Sequence, residues 1–344
     1  MKRYIWPIRL FAAVVTIGSI ALFAPWDLAY AYLVPLPDSV QGEVDQAVQN
    51  RLDGVVVYVD RKGRAPQFCV AGWKNKEQKV AADPHALFRI GSVSKMYMVA
   101  ATTKLVAAHR LSLDDTLEHL LPELTGRIAN ADKITLRMMI RHRSGIHNYV
   151  EDSRFRWDKY GHPDEALSLV LDRPADFDPD TRYHYSNTNY LLLGRILDKT
   201  LGYKYDDYVQ AEILTPLDLT HTFGQLDDVN PADVMSGYDL DYPGDMKPLS
   251  LTSPGGSMVA TADDVGNFLR ALNTGTLLTP EEQAIYTSLY PYEHTGLLPG
   301  YETIARYHKD IDTVVIVFVN TTGQNSWGKI EAVESRVNRI LHKQ

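Results

Sequence analysis

The feature that most constrains the fold of this 344-residue chain is an uninterrupted run near its C-terminal end, Thr313-Val-Val-Ile-Val-Phe-Val319. Such a run is typical of a strand buried on both faces of a sheet. Further strand-like segments lie at 302–308 and, far away in the sequence, at 55–60 and 67–73, the last two around the turn Arg61-Lys-Gly-Arg64. Because helical patterns separate the two pairs, we expect one sheet built from both ends of the chain.

The region between these strand pairs is mainly helical, with many turn signals. We therefore predict an α/β fold of the α+β type, in which an antiparallel sheet from both chain ends is flanked by helices and carries an inserted, mainly helical lobe. Within one domain of residues 32–344, the sheet part would comprise about 40–110 and 255–344, and the lobe about 111–254. Helices are predicted at 39–52, from Ser92 to about 109, and at 134–140, 189–200 and 330–342, with Thr261 as the N-cap of another.

The N-terminal segment 1–31 has the pattern of a secretory signal peptide. The charge-free run 10–24 follows Lys2, Arg3 and Arg9, and Ala29-Tyr30-Ala31 offers a small-x-small cleavage site. The run is short for a membrane span, which needs about 20 residues. We expect a cleaved leader and an exported protein, in the periplasm or at the cell surface. The alternative is an uncleaved membrane anchor, which would also leave the body of the chain outside the cytoplasm.

Composition argues against several classes of function. The formal net charge of −8 disfavours a nucleic-acid partner. The sequence has no H-E-x-x-H or other compact ligand set, so we expect no metal and no cofactor. Its single cysteine, Cys69, cannot form an internal disulfide and lies in an apolar run, which indicates a small buried side chain. The expected partner is a small-molecule or peptide substrate, with membrane contact only through an uncleaved N-terminal segment.

Two tetrads have the spacing S-x-x-K, Ser92–Lys95 and Ser326–Lys329. Three residues along a helix place a hydroxyl and an amine on one face. A serine hydroxyl becomes a good nucleophile when a neighbouring base accepts its proton, and a lysine with a lowered pKa in a closed pocket can be that base. The second tetrad contains Gly328 and falls between a predicted strand and the last helix, so we interpret it as accidental. Alone, either tetrad also fits a helix N-cap serine beside a solvated lysine.

The rest of the chain favours the first tetrad, because Tyr185-Ser186-Asn187 and then His294-Thr295-Gly296 follow it. Three motifs in this order resemble the serine β-lactamase and penicillin-binding-protein superfamily. The likeness is to its branch of class C-like β-lactamases, D-alanyl-D-alanine carboxypeptidases, D-aminopeptidases and esterases. It covers roughly residues 40–325 and includes the connecting elements 111–115, 134–137, 141–146 and 254–257.

The resemblance and the chemistry of the side chains imply the same roles. Ser92 would be the nucleophile, and Lys95 would accept its proton or hold it in a network with Tyr185. Tyr185 would pass a proton to the leaving group. The backbone N–H groups of Ser92 and Leu297 would form the oxyanion hole. The remaining motif residues would bind substrate: Asn187, His294, Thr295 and Gly296.

Two departures from the superfamily pattern bear on the substrate. The third motif begins with a histidine instead of a lysine, and histidine is at most weakly charged at neutral pH. In addition, the segment 276–293 contains no lysine or arginine, and it is short enough that the sheet could lack a strand there. We therefore expect a poor carboxypeptidase and a poor β-lactamase that is competent on neutral-ended esters or amides. The alternative is that Arg143 or Arg154 from the lobe supplies the missing cation.

These observations predict an exported serine hydrolase that acts through a Ser92 acyl-enzyme on a peptide or amide related to cell-wall D-amino acids. Two alternatives stay open at this level. One is an esterase on the same fold. The other is a non-catalytic penicillin-binding sensor or interaction protein.

Overall fold

The computed structural model describes residues 5–344. Its helices are α1 (Ile5–Phe23), α2 (Trp26–Leu33), α3 (Val40–Gln49), α4 (Ser94–Ala107), α5 (Leu117–Leu120), α6 (Leu136–Ile140), α7 (Pro163–Ser168), α8 (Asn187–Leu201), α9 (Tyr205–Val209), α10 (Ala262–Thr274), α11 (Pro280–Leu289) and α12 (Ser326–Leu341). Its strands are β1 (Gly54–Arg61), β2 (Gln67–Asn75), β3 (Val80–Ala81), β4 (Phe88–Arg89), β5 (Thr222–Phe223), β6 (Tyr238–Asp239), β7 (Val259–Ala260), β8 (His294–Leu298), β9 (Tyr301–His308), β10 (Thr313–Val319) and β11 (Thr321–Thr322).

Six strands form one antiparallel sheet in the order β3-β2-β1-β10-β9-β8. At its centre β1 pairs with β2 on one side and with β10 on the other, and Val57 lies opposite Val317. All residues of β10 are buried, as the run that defines it predicts. The prediction of an antiparallel sheet from both chain ends, flanked by helices, is therefore confirmed.

Alternate residues of the central strands face two different hydrophobic layers. Val55 and Val57 pack with the apolar faces of α3 and α12, whereas Val56 and Tyr58 belong to a larger core that includes α4, α10 and the lobe. Because α4 is enclosed in the larger core, the turn that precedes it is held rigidly against the sheet.

The predicted helices are present with modest shifts at their ends. Helices α3, α4, α6 and α8 lie where the sequence predicts them, and the Thr261 side chain caps α10 by accepting from the Asp264 amide. Between α10 and β8 the described chain forms α11 and no strand. The predicted start of the last helix was wrong: α12 begins at Ser326, so the second S-x-x-K tetrad is its first turn.

Tertiary packing explains this earlier start of α12. Glycine disfavours a helix interior by about 1 kcal/mol relative to alanine, which is why the sequence suggested a break at Gly328. In the fold, Gly328 faces α2, and a Cβ atom there would lie only 2.6 Å from Leu28 Cδ1. Close approach between two helices thus requires glycine at a position that local propensity disfavours.

The two N-terminal helices differ in their contacts, because α2 packs against α12 whereas α1 is largely exposed. Helix α1 exposes many apolar side chains, including Trp6, Leu10 and Phe11. None of the helices formed by residues 5–344 combines the length and apolar character needed to cross a membrane. Lys2 and Arg3 of the predicted leader lie outside the described residues, and signal cleavage stays a prediction.

The segment after α1 contacts α12 directly. The Arg336 guanidinium of α12 donates to the carbonyl oxygens of Val34, at 2.7 Å, and Pro35, at 3.0 Å. The predicted cleavage site 29–31 lies within α2, which packs against α12. Residues on both sides of this site therefore contact the same helix.

Candidate active site

Ser92 lies on a 3₁₀ turn, Gly91–Val93, that leads directly into α4. The predicted helix start at Ser92 was therefore two residues too early. The Ser94 hydroxyl stabilises the turn, because it donates to the Gly91 carbonyl at 2.6 Å and accepts from the Met258 amide at 3.3 Å. These bonds connect the turn to the chain just before β7 and fix the position of Ser92.

The Lys95 side chain is almost completely buried in the site, with 1% of its surface exposed. Its Nζ atom lies 3.0 Å from Ser92 Oγ and also donates to Asn187 Oδ1, at 3.0 Å, and to the Gly255 carbonyl, at 2.8 Å. Burial lowers the pKa of Lys95 to about 7, since the charged form loses its hydration. A substantial fraction of the neutral amine is then available near pH 7 to accept the Ser92 proton.

The backbone at Gly255 allows this contact to be close. Gly255 has φ +79°, and a Cβ atom there would lie 2.9 Å from Tyr190 Cβ and 3.1 Å from Lys95 Cγ. A larger residue would push the carbonyl away from Nζ, so glycine is required both by conformation and by space.

Tyr185 approaches Ser92 from the opposite side and donates to Ser92 Oγ at 2.9 Å. Burial raises the pKa of Tyr185 to about 12, an effect that the Ser92 hydrogen bond partly offsets. Tyr185 therefore keeps its proton in the resting enzyme, and Lys95 is the better base. The ring stacks on that of His142, with ring centroids 4.3 Å apart.

His142 is a neutral support for Tyr185. Its Nδ1 atom accepts from the Ser186 amide at 3.1 Å, which assigns the proton to Nε2. Burial, followed by the charge of Lys95, lowers the pKa of His142 to about 3. The histidine thus fixes both the ring and the backbone of the second motif without adding charge.

Asn187 begins α8 with its side chain toward Lys95. The N-cap residue, Ser186, makes no side-chain cap, and instead the distant Asn148 accepts from the Asn187 amide at 3.0 Å. A capping bond from another loop is a tertiary contact, and it fixes the backbone of Asn187 so that its side chain lies beside Lys95.

The edge strand β8 brings the third motif against the turn that carries Ser92. A Cβ atom on Gly296 would lie 2.1 Å from the Ile90 carbonyl oxygen and 3.3 Å from the Ser92 amide nitrogen. A Cβ atom on Gly91 would lie 3.0 Å from the Leu297 amide nitrogen. The amides of Ser92 and Leu297 are therefore adjacent, as an oxyanion hole requires.

His294, at the start of β8, is neutral and fully engaged. Its Nδ1 atom contacts the Thr295 carbonyl oxygen and its Nε2 atom lies 2.7 Å from the Tyr290 hydroxyl. Because a carbonyl oxygen only accepts, Nδ1 carries the proton and Nε2 accepts from Tyr290. Burial, followed by the charge of Lys95, lowers the pKa of His294 to about 4. The third motif thus supplies no cation.

Ser92 opens into a cavity of about 640 Å³ between the lobe and β8, and Thr295 is part of its wall. The lobe contributes an aromatic cluster centred on Phe155, whose ring centroid lies 5.5 Å from that of Tyr149, 5.0 Å from that of Trp157 and 6.2 Å from that of Tyr160. Such a wall favours apolar substrate groups.

The two arginines considered as substitutes for the missing cation do not reach this cavity. Arg143 forms an ion pair with Asp180, and Arg154 donates to Asp152 at 2.8 Å. Apart from Lys95 behind Ser92, no lysine or arginine of residues 5–344 borders the cavity. The site therefore lacks a ready partner for a substrate carboxylate.

Several residues of the site escaped the sequence argument: Asn148, Tyr290, the Phe155 cluster and, at the far end of the cavity, Asp239. None belongs to one of the three motifs. The only local signal is the density of aromatic residues at 149–160, which also fits an ordinary core.

Comparisons with known proteins agree with this geometry. The family model "Beta-lactamase" matches residues 40–334. Bacillus subtilis PbpX, which bears a penicillin-binding-protein name, is 24% identical over 292 residues, 79% of this chain and 71% of that protein. Other curated relatives are longer, and the match covers as little as 42% of their length.

Solved structures of two hydrolases share the fold of this chain. A D-amino acid amidase from Ochrobactrum anthropi SV3 has a TM-score of 0.76 at 22% identity, covering 88% of this chain and 97% of that one. A D-stereospecific amidohydrolase from a Streptomyces species has a TM-score of 0.73 at 25% identity, covering 85% and 97%. Since the family match extends over most of the chain, this protein belongs to the beta-lactamase family and is a serine hydrolase.

Proposed function

We propose that this protein is an exported amidase or peptidase that forms an acyl-enzyme on Ser92 and prefers D-amino-acid derivatives with no carboxylate beside the scissile bond. One observation carries this proposal: a hydrogen-bonded Ser92, Lys95 and Tyr185 open into a cavity that offers a substrate carboxylate no free cation.

In the acylation step, Ser92 Oγ attacks the substrate carbonyl carbon while its proton moves to the neutral Lys95 amine. The carbonyl oxygen becomes an oxyanion, which the amides of Ser92 and Leu297 stabilise. The bond to the leaving amine or alcohol then breaks, and that group takes a proton from Lys95, with Tyr185 in position to pass it on.

In the second step, water attacks the carbonyl carbon of the acyl-enzyme and gives a proton to the Lys95–Tyr185 pair. The acyl–Oγ bond breaks, the proton returns to Ser92 Oγ, and the free acid leaves. Lys95 and Tyr185 both border Oγ, so the same pair serves both steps with opposite directions of proton transfer.

The preference for a neutral neighbour rests on electrostatics. Penicillins and peptides ending in D-Ala-D-Ala carry a carboxylate next to the scissile bond. A charge-assisted hydrogen bond to such a group contributes roughly 1.5–3 kcal/mol, and here neither His294 nor a lobe arginine provides it. The solved neighbours named as D-amino acid amidase and D-stereospecific amidohydrolase support the substrate class.

Export is part of the same proposal. The N-terminal pattern supports it, because basic residues, a charge-free run and a small-x-small site occur in the order of a leader. A substrate related to cell-wall D-amino acids would also be met outside the cytoplasm.

The test compares acyl-D-Ala-D-Ala with its C-terminal carboxamide, by kcat/KM for release of D-Ala or D-alaninamide. We expect the carboxamide to win, or the carboxylate to be preferred by less than about tenfold, equivalent to 1.4 kcal/mol. A preference of a hundredfold or more for the carboxylate would contradict the proposal, since it would require a cation.

The same preparation distinguishes the two rivals. An esterase would cleave p-nitrophenyl esters but release no D-amino acid from either peptide. A sensor would be acylated by a fluorescent penicillin without turnover. Ser92→Ala is the control in each assay.

A further inference from the structure

The end of the cavity beyond β8 differs in charge from the rest of its wall. Asp239 borders it there, together with Thr322, Gly323 and Trp327. Among the described residues around the cavity, Asp239 is the one carboxylate. Its position depends on β6, which pairs in parallel with β11 beside the β8–β9 turn.

Asp239 has hydrogen bonds but no ionic partner. Its Oδ2 atom accepts from the Thr322 hydroxyl at 2.7 Å and its Oδ1 atom accepts from the Asp241 amide at 2.9 Å. No ion pair of Asp239 occurs within residues 5–344. A carboxylate has about four acceptor sites, so the two bonds leave it free to accept from a ligand.

A second acidic side chain, Glu302, interacts electrostatically with Asp239. Glu302, directly across the strand pair from Leu297, is buried, and its Oε2 atom has no hydrogen-bond partner in the described chain. Burial raises the pKa of Glu302 to about 7; the Ser326 hydrogen bond opposes this rise and the charge of Asp239 adds to it. The side chain of Trp327 is 37% exposed and borders the same cavity, and an indole ring attracts a cation placed over its face.

The chain connects Asp239 to the candidate oxyanion hole through the turn between β8 and β9. The Gly300 amide donates to Thr322 Oγ1 at 2.7 Å, and the same hydroxyl donates to Asp239. Gly300 lies in that turn, where Leu298 pairs with Tyr301, so Asp239 is linked to the end of the strand that carries Leu297. Asp239 and Ser92 border the same cavity, so one substrate can reach both.

We propose that Asp239 binds a cationic group of the substrate, an ammonium or guanidinium that lies beside Trp327 in the cavity into which Ser92 opens. The inference rests on the proposed function and adds a charge requirement to it. The substrate would be neutral at the scissile bond, apolar toward the Phe155 cluster and positive at its far end.

The test uses p-nitrophenyl esters whose acyl chains end in a trimethylammonium group or in the isosteric tert-butyl group, in a series of increasing chain length. A quaternary nitrogen cannot attack its own ester. The ratio of kcat/KM for the two esters is independent of the fraction of active enzyme. A second pair carries the same groups in the leaving alcohol and is followed by proton release.

We expect the wild type to prefer the cationic ester by about tenfold in at least one pair, and the preference to fall with added salt. Asp239→Asn keeps an acceptor for the turn and should reduce the ratio to near one. Asp114→Asn is the control, because this exposed carboxylate of the lobe lies outside the cavity wall, and it should retain the ratio.

Three results would overturn the inference while leaving the proposed function intact. They are Ser92-dependent hydrolysis with ratios near one in both pairs, a ratio that survives Asp239→Asn, or an equal loss in Asp114→Asn. By contrast, if wild type and Ser92→Ala hydrolyse every ester equally and release no D-alaninamide, the proposed function fails and the inference with it.

Discussion

The two S-x-x-K tetrads show how the same spacing acquires different roles. In both, the serine stands at or just before a helix start and the lysine is buried. Ser92 Oγ meets Lys95 Nζ and the Tyr185 hydroxyl and faces the cavity. The Ser326 hydroxyl instead donates to Glu302 Oε1 at 2.6 Å.

The difference lies in what surrounds each pair. The Ser92 hydroxyl is surrounded by groups that can exchange protons with it, whereas the Ser326 hydroxyl is committed to a buried carboxyl group. Lys329 Nζ donates to the Asn50 carbonyl at 3.1 Å and so connects α12 to the end of α3. The second tetrad is thus part of the structural connection between helices and sheet.

The largest expected effect is the loss of the nucleophile. Ser92→Ala should lower kcat/KM by roughly 10³-fold or more and abolish labelling by a fluorophosphonate. Ser326→Ala should keep activity within about twofold but lower the free energy of unfolding by about 1–3 kcal/mol, because Glu302 loses a buried hydrogen bond. Urea unfolding measures the second effect. A fluorophosphonate adduct mapped to Ser326 would contradict the assignment of Ser92 as the nucleophile.

The next effect concerns the proton-transfer unit. Lys95→Ala and Tyr185→Phe should each lower kcat/KM by roughly 10²–10⁴-fold, and the double variant should be little worse than either. Lys329→Ala, the matched change in the other tetrad, should leave turnover within about twofold. Strictly additive losses in the double variant would show that Lys95 and Tyr185 act independently.

The dependence of kcat/KM on pH also distinguishes the first tetrad from the second. Because burial lowers the pKa of Lys95 to about 7, the amine is protonated below that pH and cannot accept the Ser92 proton. The value of kcat/KM should therefore rise with pH through about 7 and be roughly a hundredfold lower at pH 5. Ser326→Ala should retain this limb. A limb near pH 4 would instead point to His294, whose pKa is about 4.

The smallest effect is expected at the N-terminus. A chain that begins at Tyr32 lacks Leu28, which packs against Gly328 of the second tetrad. The first tetrad is not part of this contact. We expect activity within about twofold and a loss of about 1 kcal/mol of stability, measured by urea unfolding. Protein from the native envelope should begin at or near Tyr32 by mass spectrometry. An intact Met1 in a carbonate-resistant membrane fraction would establish the anchor.

Much of the fold was predictable because its signals are local. The apolar runs of β1 and β10 depend on the residues within each strand. The register that places Val57 opposite Val317 is set by the sheet, because strands that are apolar on both faces do not specify it by pattern. The start of α12 was not predictable, since the reason for Gly328 is its contact with α2, a helix near the opposite end of the chain.

The site divides in the same way. The order of Ser92, Tyr185 and His294 is a property of the sequence, and the structure brings all three to one cavity. The protonation states of the site are not a property of the sequence. The pKa of Lys95, for example, depends on its burial against Asn187 and Gly255. Nor could sequence alone decide whether an arginine of the lobe enters the cavity.

The sequence by itself determined the sheet from two chain ends, the three motifs and their order, because hydrophobic periodicity and motif spacing are written along the chain. Only the tertiary structure decided which S-x-x-K meets a partner for proton transfer, that His294 is neutral, and that Asp239 lies at the end of the cavity. The physical reason is that burial and electrostatic interaction depend on distance in space, and the groups that control them here lie far apart along the chain.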